Sequence, residues 1–195
     1  MGWDQELLEV VDAHRTPWAT ALAEGLMAAG QPTATYVAAT GAVLVFAWLF
    51  KAWRPVFAAL LASVIATGLA EAGKEFIGRP RPPADLALVP TDGFAMPSSI
   101  GALTAGAAVP LMLMWWRAAS RTGRMLSALL ALGTVLVGVS MVYLGAHWLS
   151  DVLAGWLLGA ALGVGAFLLL DQGPARSGRR YRTAGGRDPQ EPVGS

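Results

Sequence analysis

A chain of 195 residues that is 55% hydrophobic and only 14% charged cannot be solvated on all sides, since soluble domains carry about a quarter charged residues. Its 14 basic and 13 acidic side chains leave a net charge of +1, which gives no case for a nucleic-acid partner and leaves the meaning in how the charges are placed. No cysteine is present, so disulfides and thiolate metal sites are excluded.

The opening stretch "MGWDQELLEVVDAHRTPW" is acidic and amphipathic. It lacks the basic-then-apolar pattern of a cleavable signal, so the first span is expected to serve as the insertion signal. Across residues 3–29, Leu7, Leu8, Val11, Trp18, Leu22 and Leu26 supply apolar faces. Asp4, Glu6, Glu9, Asp12 and Glu24 interrupt any continuous run. This pattern predicts a helix or helix pair lying in the outer membrane interface rather than a further span.

Five apolar runs of membrane length follow, at about 33–50, 56–73, 98–116, 125–145 and 152–170. Very short polar loops separate them, which argues against a large soluble helical core. The fold expected is all-α, a polytopic transmembrane bundle of about five spans plus the N-terminal interfacial segment. Residues 1–32 form that segment and 33–170 the membrane domain. Residues 171–195, rich in Gly, Pro and Arg, are expected to form a disordered tail, with plain solvation favoured over contact with anionic lipid.

Sorting the loops by side gives the orientation. Lys51, Arg54, Arg117, Arg121, Arg124, Arg176, Arg179, Arg180, Arg182 and Arg187 fall on one side, ten of the 14 basic residues. That side is expected to be cytoplasmic. The other carries Arg15, Lys74, Arg79 and Arg81. Three cations crowded into "KEFIGRPRPP" either touch lipid headgroups or grip an anion.

Three polar clusters share this outward end. Lys74, Arg79 and Arg81 stand on a backbone stiffened by Pro80, Pro82 and Pro83. A planar guanidinium fork and a compact ammonium both suit phosphate. Pro97, Ser98 and Ser99 open the next apolar run, either as a plain helix cap or as an anion site at a helix N-terminus. In "GAHWLSDVLAG", His147 and Asp151 are four apart, so on a helix they would share a face. A carboxylate on one ring nitrogen would set the tautomer and activate the other; the alternative is a structural cap by Ser150 or Asp151. Together the clusters suit a bound phosphate attacked by His147, its charge held by Lys74, Arg79 or Arg81. No multi-carboxylate metal cluster accompanies them, and the chemistry does not require a metal.

In these residues the chain resembles the type 2 phosphatidic acid phosphatase superfamily, integral-membrane lipid phosphate phosphatases related to vanadium haloperoxidases. That family's first motif is Lys, six residues, Arg-Pro, matched by Lys74 and Arg81-Pro82. Its second is Pro-Ser-Gly-His or Pro-Ser-Ser-His, matched in place by Pro97-Ser98-Ser99-Ile100. Its third, Ser-Arg, five residues, His, three residues, Asp, keeps its spacing as Ser140-Met141, His147 and Asp151. The resemblance, over about residues 1–170, implies that His147 forms a phosphohistidine with Asp151 as its orienting partner. It implies Lys74, Arg81 and Ser98–Ser99 as phosphate ligands, no cofactor and no metal.

Two positions depart from the pattern. The family's leaving-group acid is Ile100 here, and its third-motif Arg is Met141; neither substitute donates a proton or carries charge. Three accounts fit. The substrate's leaving group needs no proton, as with a diphosphate. Or another group replaces the acid, with His14 and Glu75 as candidates and Arg79 compensating for the lost Arg. Or hydrolysis is lost and lipid-phosphate binding kept. The function expected is a lipid phosphatase on the outer face of a bacterial-type plasma membrane, isoprenoid diphosphate favoured. Its partners are then the lipid substrate and the bilayer.

Overall fold

The computed structural model describes residues 2–29 and 33–170; the expected tail, 171–195, lies outside them. The described residues form seven helices and no strand: α1 (Gly2–Ala13), α2 (Pro17–Ala29), α3 (Thr33–Phe50), α4 (Trp53–Ile77), α5 (Ser99–Arg117), α6 (Arg121–Tyr143) and α7 (Leu149–Leu170). Four of them, α4 to α7, are long and apolar enough to cross a membrane, and α3 adds a shorter apolar stretch, Thr40–Phe50. The N-terminal segment is a helix pair, as the interrupted apolar faces suggested.

Side-chain size sorts inside from outside. On α4, Ala58, Ala59, Ala62, Ala66 and Ala70 are buried, and on α5 Gly101, Ala102, Ala105 and Gly106. Large apolar side chains such as Phe57, Val64, Leu132, Leu157 and Leu169 face outward. A soluble protein would reverse this. In lipid, outward apolar bulk costs nothing, and small inward residues let backbones approach closely. The centre is α4, α5 and α7 packed on one another, with α6 against α5, α3 against α4, and α1 and α2 against α6.

The closest approach is between α5 and α7. A Cβ at Gly155 would overlap the Ser98 carbonyl oxygen, so no side chain fits there. Gly155→Leu is expected to cost about 3 kcal/mol through overpacking, read as a lower unfolding midpoint in detergent. Gly133→Leu, at a position with nothing near its Cβ, should leave that midpoint unchanged.

Helix ends differ from the apolar runs because local polar chemistry sets them. α4 runs on to Ile77, placing Lys74 on its last turns rather than in the loop. α6 starts earlier because Ser120 accepts a hydrogen bond from the Gly123 N–H at 2.9 Å. It ends before Gly145, whose φ of 70° is left-handed and whose Cβ would overlap the Leu86 carbonyl. That turn delivers His147 just ahead of α7.

Loop 78–98 is tied down over the same end of the bundle. Ala95 N–H donates to Arg79 O at 2.8 Å, Leu88 N–H to Leu144 O at 2.9 Å and Ser98 N–H to Asp151 O at 2.9 Å. The helix pair is fastened there too, by Arg15 donating to Leu86 O at 2.7 Å and Tyr143 O at 3.1 Å.

Candidate active site

His147 sits in the α6–α7 turn and is 4% exposed. It is not on α7, so a shared helical face is not what joins it to Asp151. The turn itself brings Nδ1 to 3.5 Å from Asp151 Oδ2. That separation is longer than a good hydrogen bond, and Oδ2 accepts the Trp148 N–H at 2.9 Å instead. Asp151 is thus both of the things its position suggested: it caps the start of α7 in the manner of a capping box, and it faces the imidazole.

The other ring nitrogen meets Arg81, whose Nη1 is 3.0 Å from Nε2 and also donates to Ala146 O at 2.8 Å. A guanidinium only donates. Nε2 is therefore the acceptor, and the neutral ring carries its proton on Nδ1, toward the carboxylate. Burial pulls the His147 pKa below the ordinary imidazole value, the Asp151 carboxylate opposes this, and the charge of Arg81 adds to the fall. At neutral pH the ring is uncharged with a lone pair on Nε2. Burial also draws Arg81 below its usual value, against the pull of Asp151, Glu71 and Asp92. Arg81 also borders a cleft of about 430 Å³ lined by loop residues including Leu88, Pro90 and Asp92.

Lys74 on α4 is 8% exposed and donates to Ser99 Oγ at 2.9 Å and to Glu71 Oε1 at 3.0 Å. Ser99 begins α5, so its hydroxyl and the first free amides of that helix lie beside an ammonium. Ser98 is turned the other way. Its buried hydroxyl accepts the Gly101 N–H at 3.3 Å and donates to Met141 Sδ at 3.7 Å. It caps the helix, and of the serine pair Ser99 is the one bonded to Lys74.

Arg79, expected among the phosphate ligands, is bound to carboxylates. Its guanidinium donates to Asp151 Oδ1 at 2.6 Å, to Asp4 Oδ2 at 2.8 Å and to Ser150 Oγ, and it lies over the Trp148 ring at 5.4 Å. Nor does the structure bring either expected substitute acid to His147. His14 is exposed at the end of α1 with Nδ1 on Val10 O at 2.8 Å, and Glu75 is exposed on α4. The charged groups acting on His147 are Asp151, Arg81 and Lys74.

Two residues enter that the motifs did not mark. Glu71, one turn before Glu75, pairs with Lys74. Asp4 of α1, 3% exposed, accepts from Arg79, from the Ser150 N–H at 3.1 Å and from the Ser150 hydroxyl. The alternation of charge along α1 carries no signal that singles out Asp4.

Ile100 and Met141 meet in one place. Met141 is buried with Val142, Ala146 and Val152, and Ile100, Leu7 and Met27 pack against that cluster. The two residues that depart from the motif pattern thus share one apolar cluster. Among the described residues no three of His, Asp or Glu are grouped as a metal ion would need.

The model of a family described as the PAP2 superfamily matches residues 30–173. An undecaprenyl-diphosphatase from Sulfolobus acidocaldarius is 31% identical over 134 residues, which is 66% of this chain and 62% of that protein, so the match spans under two thirds of the relative. The crystal structure of a transmembrane PAP2-type phosphatidylglycerolphosphate phosphatase from Bacillus subtilis superposes with a TM-score of 0.70 at 27% identity, covering 86% of this chain and 82% of that one. LpxE from Aquifex aeolicus has the same fold, with a TM-score of 0.63 at 21% identity over 84% of this chain and 93% of that one.

Proposed function

The chain belongs to the PAP2 superfamily, and from that premise we propose that it hydrolyses a lipid-linked diphosphate through a phosphohistidine on His147. The observation that carries this is the setting of His147: Nε2 lies 3.0 Å from a guanidinium nitrogen and Nδ1 faces a carboxylate, while burial favours the uncharged ring. A phosphate oxygen is a stronger acceptor for Arg81 than an imidazole. A phosphate drawn to Arg81 is thereby brought to the nucleophile.

The bond from Nε2 to phosphorus forms as the bond to the leaving oxygen breaks. Asp151 stabilises the cationic ring that results. Arg81, Lys74, the Ser99 hydroxyl and the amides opening α5 hold the charge on the equatorial oxygens. Water then attacks phosphorus, the P–N bond breaks with its electron pair returning to Nε2, and phosphate leaves carrying the protons of the water. No step calls for a metal, so the proposal is of a metal-independent hydrolase.

The leaving group decides the substrate. Ile100 provides no proton, and an alkoxide expelled without an acid costs on the order of 10²–10⁴ in rate. A diphosphate instead releases a phosphate ester, a stable anion that needs none. The undecaprenyl-diphosphatase similarity favours the same class, an isoprenoid diphosphate. The site opens at the end of the bundle opposite Arg54, Arg117, Arg121 and Arg124; under the positive-inside rule this favours the extracytoplasmic face of a cell membrane, and the proposal puts α1 and α2 in the outer interface.

Phosphate release from polyprenyl diphosphate, phosphatidic acid, phosphatidylglycerophosphate and lipid-linked sugar phosphates tests the proposal, with the diphosphate expected to turn over fastest. Ile100→His should raise monoester turnover by on the order of 10²-fold and diphosphate turnover by much less. Equal gains would count against the leaving-group account. The apolar wall of Ile100 and Met141 favours one other reading, a lipid-phosphate-binding protein without turnover. Tight binding that needs Arg81, with no release from any of the four, would establish it.

A further inference from the structure

We propose that Asp4, on α1, is a positioning residue of this site: it holds Arg79 and Ser150, and Arg79 in turn holds the carboxylate that stands behind His147. The inference deepens the function proposed above and rests on it for its catalytic meaning.

Asp4, Leu7 and Leu8 share one face of α1, at the i, i+3, i+4 spacing. Leu8 is 1% exposed in a cluster with Ala95 and Trp148, and Leu7 packs on the Met141 cluster. Apolar burial already seats the helix. A buried carboxylate adds cost to such a seat unless it is fully paired, and Asp4 is paired entirely with groups next to the nucleophile. Its Oδ1 accepts the Ser150 N–H on the first turn of α7; its Oδ2 accepts from Arg79 and from the Ser150 hydroxyl. Arg79 spans Asp4 and Asp151 at 2.8 and 2.6 Å.

This arrangement divides the charge of Arg79 between two carboxylates. With Asp4 present, Asp151 keeps part of its negative charge for the His147 Nδ1 proton. With Asp4 neutral, Arg79 leans on Asp151 alone, and the imidazole loses support for the positive charge it gains on attack. The charged groups facing His147 are Asp151 on α7, Arg81 in the loop and Lys74 on α4. Glu71 stands beside Lys74, Asp92 acts on Arg81, and the Arg79–Asp4 pair lies behind Asp151. Burial alone would raise the Asp4 pKa, but hydrogen bonds from Arg79 and Ser150 hold it below the usual carboxylate value.

The chain has two histidines, so ¹⁵N-histidine labelling of the full chain in micelles gives two imidazoles to titrate, with exposed His14 as internal control. Asp4→Asn should lower the His147 midpoint by about half a pH unit, and Arg79→Met should raise it by a similar amount. In the Arg79→Met background the Asp4→Asn effect should shrink markedly, because the two residues act as a unit. Asp4→Glu, which keeps the charge, should restore most of the wild-type midpoint. In turnover, Asp4→Asn should lower kcat about tenfold with little change in KM. A His147 midpoint unmoved by Asp4→Asn in folded protein overturns the proposal. Should that variant not fold, the absence of a rise in Arg79→Met overturns it equally. The titration needs no turnover, so a failure of the phosphatase proposal leaves this result readable.

Discussion

His147→Ala loses phosphate release by on the order of 10⁴-fold or more, because the group that forms the bond to phosphorus is gone and nothing around it can replace it. Asp151 faces the ring but is already occupied by Arg79 and the Trp148 N–H. The other histidine is bonded to Val10. Steady-state release from a diphosphate lipid, with wild type and variant in the same detergent, makes the comparison. The pH dependence of the wild type carries the same claim. His147 attacks only when neutral, and burial holds its pKa below the ordinary value. The acid limb of the kcat/KM profile should therefore have its midpoint below the ordinary imidazole value of about 6.5, as the ring is protonated. A decline centred above the ordinary imidazole value would contradict this environment for the nucleophile.

Arg81→Ala should lower kcat/KM by about 10²–10³-fold, the usual cost of a preorganised charge aimed at the transferring group. Arg81→Lys should recover little of it, since a compact ammonium lacks the planar fork that holds two phosphate oxygens at once. The loss is not one of folding. Arg81 gives the fold hydrogen bonds to the Ala146 carbonyl and the His147 ring, worth about 1.5–3 kcal/mol, so the unfolding midpoint should fall by only a few degrees while kcat/KM falls by orders of magnitude. Paired measurements of lipid-phosphate binding separate the two functional accounts. In an enzyme, Arg81→Ala weakens transition-state stabilisation more than ground-state binding; in a binder, affinity alone falls and no release is seen from either protein.

Which parts of this molecule could be read from residue order follows from the range of the forces involved. Membrane length and apolarity are properties of a contiguous stretch, so the helices α3 to α7 could be placed, α3 with the bounds expected of it. Their ends depend on single residues outside the apolar window, such as Ser120 and Gly145. Lys74 and Ser99 were marked by motif spacing and do meet. Arg79 and Arg81 are two residues apart in non-helical chain, and spacing alone could not say which faces His147 and which faces Asp4 and Asp151. Glu71 pairs with Lys74 at the i, i+3 spacing of a helix, a pair that becomes readable only once α4 is known to run past Lys74 to Ile77.

The least legible elements were those joined by docking. Asp4 lies more than seventy residues from Arg79 in sequence, amid other acidic residues that face outward, and only the seating of α1 by Leu7 and Leu8 turns it inward. The shared setting of Ile100 and Met141 was hidden for the same reason. Two motifs each appeared to lack a polar residue, but in space they build one apolar wall.

The central claim, that phosphate passes through His147, is tested most directly by a quench experiment with a polyprenyl diphosphate carrying ³²P in its terminal phosphate. The account predicts a protein-bound label that is stable in alkali, is released by acid as a phosphoramidate requires, maps to the peptide containing His147 and is missing from His147→Ala. Turnover that persists in His147→Ala, or label that maps to any other residue, would contradict it.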